Sequence, residues 1–158
     1  MVETYPVTIR GYENLKKLLH ELKTVERPKV ILAIAEARGH GDLSENAEYD
    51  AAKEKQGQIE SRIADIEHKI AIAQVIDPTK IREDKVVFGA TVTLLDLDSE
   101  QQKTYMIVSD SEADLKAAMV SVNSPIARAM IGKRAGELVE FDTANGLREL
   151  EILRIEFK

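Results

Sequence analysis

EARGHGDLSENAEYDAAKEKQ, residues 36–56, decides how this chain is read. Its middle, Gly41-Asp42-Leu43-Ser44-Glu45, is an acidic turn between two helical patterns. Beyond the turn, Ala52, Gln56, Ile59, Ile63, Ile66, Ile70 and Ala73 recur at steps of four and three, the seam of a helix packed along another helix. The partner lies before the turn, where Leu15, Leu18, Leu22 and Val25 keep the same rhythm and Val30, Ile34 and Ala37 resume it after a shift near Pro28. Proline removes a backbone donor and crowds the preceding turn, so a kink or break is expected there. Helices of about 30 residues rise roughly 45 Å, more than the width of a small domain, so the acidic turn is expected to project as the tip of a hairpin.

Two chemistries compete for that tip. Asp42 and Glu45, three positions apart, can offer oxygen ligands to a divalent cation such as Mg²⁺. Two carboxylates are too few for tight binding, and they suit a site completed by another molecule, where the metal activates a water for attack on a phosphodiester. The same residues also spell a capping box, with Asp42 as N-cap and Glu45 reaching back from the third helical position. Both readings stand, and Glu48 and Asp50 add charge that a helix start welcomes. Arg38 and Lys53, with Lys55 nearby, lie just below the turn and are able either to touch a single strand of phosphates or to form ordinary helix ion pairs. Tyr49 is placed to stack on a base or to cover the hairpin end.

The first helix is expected from about Tyr12 to Arg38 after an extended lead-in over 1–10, and the second from Leu43 to about Val75, with Gly39 and Gly41 supplying positive φ for the reversal. Beyond Asp77-Pro78 the pattern changes. Runs at 85–97, 104–108, 138–143 and 147–157 alternate and are rich in β-branched residues, and Asn145-Gly146 marks a hairpin. Ser124, Pro125 and Gly132 bracket a short helix, and a further helical turn is expected within 112–118. The fold class is therefore α+β: a coiled-coil hairpin domain over 1–77 and a small antiparallel sheet domain with one or two helices over 78–158.

Composition excludes several functions. Cysteine is absent, which removes disulfides and thiolate metal sites. The histidines His20, His40 and His68 lack metal-ligand spacing. Net charge is −6, divided into −2 over residues 1–80 (12 basic, 14 acidic) and −4 over 81–158 (10 basic, 14 acidic), so broad phosphate neutralisation of a duplex is not available. With no apolar run of membrane length and no basic-apolar leader, a cytoplasmic protein without a membrane partner is expected, and nothing on the outer hairpin face calls for more than a monomer.

Two long motifs carry a resemblance. EARGHGDLSENAEYDAAKEKQG resembles the tip region of the GreA/GreB family of bacterial transcript cleavage factors, and SVNSPIARAMIGKRAGE (Ser121–Glu137) resembles their C-terminal signature. The similarity extends from VTIRGYENLKKLLHELK at the start to the final strand. It implies a coiled-coil hairpin joined to an FKBP-like domain that docks on bacterial RNA polymerase, with the hairpin entering the secondary channel. There the tip acids help the polymerase's own active site hold Mg²⁺ and a nucleophilic water, and the 3′ end of backtracked nascent RNA is cut. Carried over residue by residue, the catalytic and metal-holding acids are Asp42 and Glu45, the RNA-facing groups Arg38, Lys53 and Tyr49, and the polymerase-facing segment Ser124, Pro125 and Ile126. The chain departs from many members at Gly39, where they carry a charged or polar residue, and at Lys53, where some carry arginine; lysine makes no bidentate phosphate contact. An inhibitory channel-binding relative would differ at the tip acids, which are retained here. A prolyl isomerase would need an aromatic pocket, for which Phe88, Tyr105, Phe141 and Phe157 are a sparse supply.

Overall fold

The structure, a computed structural model, describes residues 3–39 and 43–158, with the backbone alone for 43–45. It divides into two compact units, one formed by Tyr12–Ala73 with Glu3, the other by Thr4–Gly11 and Gln74–Lys158. The expected pairing of a long helical hairpin with a sheet domain is what the chain forms.

Strand β1 (Tyr5–Thr8) pairs with β2 (Ala73–Ile76), and helix α1 (Ile9–Glu21) follows β1 directly. The helix starts earlier than the expected Tyr12, because Thr8 caps it: the Thr8 hydroxyl oxygen accepts the Gly11 N–H at 3.1 Å. Close packing explains why position 11 lacks a side chain. A Cβ there would lie 2.2 Å from the Glu112 carboxyl carbon, and Glu112 accepts both the Thr8 N–H, at 3.2 Å, and the Thr8 hydroxyl proton.

In the helical unit, α1 passes through a five-residue π-helical segment, Leu22–Glu26, into α2 (Arg27–Arg38), and α3 (Leu43–Ala71) returns. The buried seam residues of the outgoing strand of the hairpin are Leu15, Leu22, Val30 and Ala37, at steps of seven, eight and seven. The π segment accommodates the eighth residue. Its wider turn takes in one extra residue, the Arg27 N–H bonding back five positions to the Leu22 carbonyl, so the apolar stripe stays in phase. Pro28 at the start of α2 has no N–H to give an α-type bond at this point, so the expected break is resolved as a local widening. Val25, expected in the seam, is instead 52% exposed because the extra residue turns it outward. On α3, Ile59, Ile63 and Ile66 are buried against this stripe while Gln56 and Ile70 are half-buried. Ion pairs align the helices from the side: Lys23 meets Glu67 at 3.2 Å and Arg27 forks onto Glu60 at 2.8 and 2.9 Å. The second helix stops at Ala71, short of the expected Val75, and Ala73, expected in the seam, opens β2.

The second unit is a five-stranded sheet of order β5-β4-β3-β7-β6, with β3 Thr91–Asp96, β4 Gln102–Val108, β5 Met119–Ser121, β6 Leu138–Thr143 and β7 Gly146–Glu156. Three of the four pairings are antiparallel as expected, but β5 runs parallel to β4, which makes the sheet mixed. The first alternating run becomes regular strand only from Thr91, and the stretch expected as one helical turn forms two short 3₁₀ turns, Asp110–Glu112 and Leu115–Ala117. A register shift between Thr93 and Leu94 sets a bulge into β7 and bends the sheet. Helix α4 (Pro125–Met130) contributes Ala127 and Met130 to a core with Val92, Leu94, Ile107 and Ile152, all fully buried. Gly146 restarts the chain as β7 with φ of 111°, a conformation L side chains rarely adopt, which explains the hairpin signal before it.

Candidate functional site

The end of the hairpin is defined by where its helices stop. Gly39 follows α2 in helical conformation, φ −72° and ψ −12°, with its N–H donating to the Ala35 and Glu36 carbonyls at 3.3 and 3.1 Å. The positive φ expected at this glycine is therefore not used, because the last helical bonds continue through it. Helix α3 begins at Leu43, which puts the Glu45 backbone in its first turn. His40, Gly41 and Asp42 lie outside the described residues, as does the Glu45 side chain, so neither the capping box nor the acid pair is described.

Arg38 and Tyr49 are brought together. The guanidinium carbon stands 5.8 Å from the ring centroid, a cation–π contact across the hairpin from the last residue of α2 to the second turn of α3. Such contacts are worth about 0.5–1 kcal/mol at exposed sites. Tyr49 is half-buried and Arg38 exposed, with the cation over the ring. Lys53, one helical turn beyond Tyr49, is exposed and donates to Gln56 Oε1 at 3.1 Å along its own helix. Carboxylate oxygens are the donors Mg²⁺ prefers, and the acid pair Asp42 and Glu45 could supply two of its ligands with the rest from elsewhere. Among the described residues, no group of three or more His, Cys, Asp or Glu could hold a metal.

The polymerase-facing segment expected from sequence lies at the start of α4. Ser124 caps the helix, its hydroxyl oxygen accepting the Ala127 N–H at 3.3 Å while its proton goes to the Ser121 carbonyl at 2.7 Å. Pro125 at the first helical position is exposed, and Ile126 is half-buried. Ile126 lines a cavity of about 210 Å³ floored by Leu94, Tyr105 and Phe141, with Arg148 and Lys103 also in its lining. Arg148 meets Asp96 at 3.2 Å. The N–H groups of Asp98 and Ser99, ahead of Arg148 and Lys103, hold the Asp96 carboxyl below the ordinary carboxylate range against the opposing effect of burial. Sequence reading missed this cavity and its cations, because they come from four separated strands, and alternation shows only that such residues share a sheet face.

Both halves of the chain match known sequence families. Residues 5–75 match the family described as transcription elongation factor, N-terminal, and residues 81–157 the one described as transcription elongation factor, GreA/GreB, C-terminal. Transcription elongation factor GreA of Caulobacter vibrioides is 58% identical over 156 residues, covering 99% of each chain. The protein of the same name from Neisseria meningitidis is 54% identical over 157 residues, again with 99% of each covered. Among solved structures, the GreA factor homolog 1 protein of Thermus thermophilus aligns over 98% of this chain and 99% of its own at 25% identity, with a TM-score of 0.46.

Proposed function

The chain belongs to the GreA/GreB family of transcription elongation factors, and from that premise we propose that it binds bacterial RNA polymerase and stimulates the polymerase's own cleavage of backtracked nascent RNA. The observation that carries the reading is the hairpin end. Two antiparallel helices terminate at Arg38 and Leu43 around a connection that contains Asp42, with Glu45 in the first turn of α3.

On this reading the hairpin enters the secondary channel, and the second unit docks outside it through Ser124, Pro125 and Ile126. Asp42 and Glu45 contribute carboxylate oxygens to a centre whose remaining ligands belong to the polymerase. Asp42 and Glu45 would supply ligands to Mg²⁺ there, and the chemistry a bound Mg²⁺ would supply is activation of water for attack on the phosphodiester. Arg38 and Lys53 supply positive charge to the extruded RNA 3′ end. Tyr49 keeps Arg38 at the hairpin end through the cation–π contact, which limits the side-chain freedom Arg38 must lose on meeting a phosphate. The factor is not itself a nuclease: two acids on a hairpin lack the enclosed, multi-ligand pocket that free-standing metal hydrolysis requires. It works as a monomer in the cytoplasm.

The test is a cleavage assay on stalled, backtracked polymerase. Wild-type factor is expected to accelerate release of 3′ fragments, and factor with RNA and Mg²⁺ but no polymerase to release none. The double variant Asp42→Asn with Glu45→Gln is expected to lose at least about 100-fold of the stimulation, the scale of removing electrostatic groups from a reacting centre. Its polymerase affinity should stay within about twofold. Equal loss of affinity and cleavage would make the acids helix caps only.

A further inference from the structure

We infer that Asp110 is a positioning residue that holds the Ser124-Pro125-Ile126 segment in its polymerase-facing conformation, an inference that rests on the reading of that segment just given. The topology creates the contact. Strands β4 and β5 are parallel with Val108 opposite Ser121, so the residues leaving their C-terminal ends emerge side by side. The Val122 N–H extends the pairing by donating to the Val108 carbonyl at 2.7 Å. Asp110 is the second residue past β4 and Asn123 the second past β5, and their side chains meet.

From Asp110 the bonds run without interruption to the helix cap. The Ser121 hydroxyl donates to Asp110 Oδ1, and the Asn123 side-chain amide nitrogen lies 3.2 Å from both carboxylate oxygens. The Ser121 hydroxyl oxygen in turn accepts the Asn123 N–H at 3.1 Å. The Ser121 carbonyl accepts the Ser124 N–H at 2.9 Å and the Ser124 hydroxyl at 2.7 Å, and Ser124 caps α4. A carboxylate suits the first position because it accepts from several donors at once, whereas an amide offers a single oxygen. Asp110 and Asn123 are exposed, while Val120 and Ala127 on either side of the segment are buried in the core. Asp110 therefore organises the surface stretch between two anchored points, and its loss leaves the anchors in place. The segment would then order only on binding, at a cost to affinity.

The experiment compares wild type, Asp110→Ala, Ser121→Ala, their double variant and Pro125→Asp. Readouts are the half-saturating factor concentration in the backtracked-complex assay, the maximal rate at saturation, the thermal midpoint, and amide hydrogen exchange in the free protein. Asp110→Ala is expected to raise the half-saturating concentration about tenfold, the scale of a lost charge-assisted hydrogen bond. The maximal rate should stay within about twofold and the midpoint within about 2 °C. Exchange at Asn123, Ser124 and Ala127 should quicken, and the double variant should be no worse than the poorer single one, because both cut the same link. Unchanged exchange, additive losses, or a fall in midpoint and maximal rate together would each overturn the inference. If Pro125→Asp weakens binding and Asp110→Ala does not, the inference fails and the docking reading survives. If Pro125→Asp binds as wild type does, the docking reading itself fails and takes the inference with it.

Discussion

The hairpin and the sheet domain bury apolar groups in opposite ways. In the hairpin a single stripe, Leu15, Leu22, Val30 and Ala37, faces Ile59, Ile63 and Ile66, and the outer faces of the helices are left to solvent, including Val25, Ile31 and Leu32. In the sheet domain, side chains from all five strands and α4 close around Leu94, Ile107, Met130 and Ile152, none with any exposed surface. The first arrangement is a problem of phase and the second one of volume. A hairpin tolerates changes that keep the stripe aligned and suffers from any that rotate it; a closed core is indifferent to phase and suffers from holes.

The largest effect expected from this contrast is in the core. Ile107→Ala should cost about 3 kcal/mol, since a fully enclosed site cannot collapse onto the vacancy. Ile63→Ala, on a stripe whose flanks are free to close, should cost about 2 kcal/mol, the low end for such a truncation. Residue-resolved hydrogen exchange reads the two units separately, and equal costs would break the distinction. Next comes phase. Inserting one alanine between Thr24 and Val25 turns Val30 and Ala37 by about 100° relative to Leu15. The helical melting midpoint should fall by about 10 °C. Deleting Thr24 in a Pro28→Ala background removes the extra residue and should leave the midpoint within about 3 °C. If deletion is as harmful as insertion, the π segment does not serve to keep phase. The smallest effect is confined to the sheet domain. Because the folded Asp96 carboxyl titrates below its ordinary value, its contribution is present above the ordinary carboxylate pKa and is lost as pH falls through the depressed value. Asp96→Asn should flatten that part of the stability–pH curve in acid denaturation, with no change near neutrality in its slope.

The hairpin was legible because its apolar spacing is local and repeats. The step from Leu22 to Val30 even revealed that something happens near Pro28. Whether such a step is met by a kink or by a π turn depends on which arrangement keeps both flanking stripes on one partner, and that is a property of the packed pair. Val25 was misplaced for that reason. The long strands were legible by alternation, whereas β5, with three residues, is too short to alternate, and its parallel pairing is set by neighbours. At the site, Ser124-Pro125 announced a helix start in local terms that the geometry repeats. The Asp110 network and the cavity beside Ile126 join residues with no spacing rule between them, and only the sheet topology brings them together.

One contact also constrains how the protein can be made. Thr8 receives its Glu112 partner across 104 positions of chain, so that clasp waits until Glu112 has been made, although β1 can pair with β2 well before then. The helical hairpin between them has all its seam partners within 15–66 and can close early. Synthesis therefore allows the hairpin and the β1–β2 pair to form first, and the Thr8–Glu112 clasp is added only when the later domain is made.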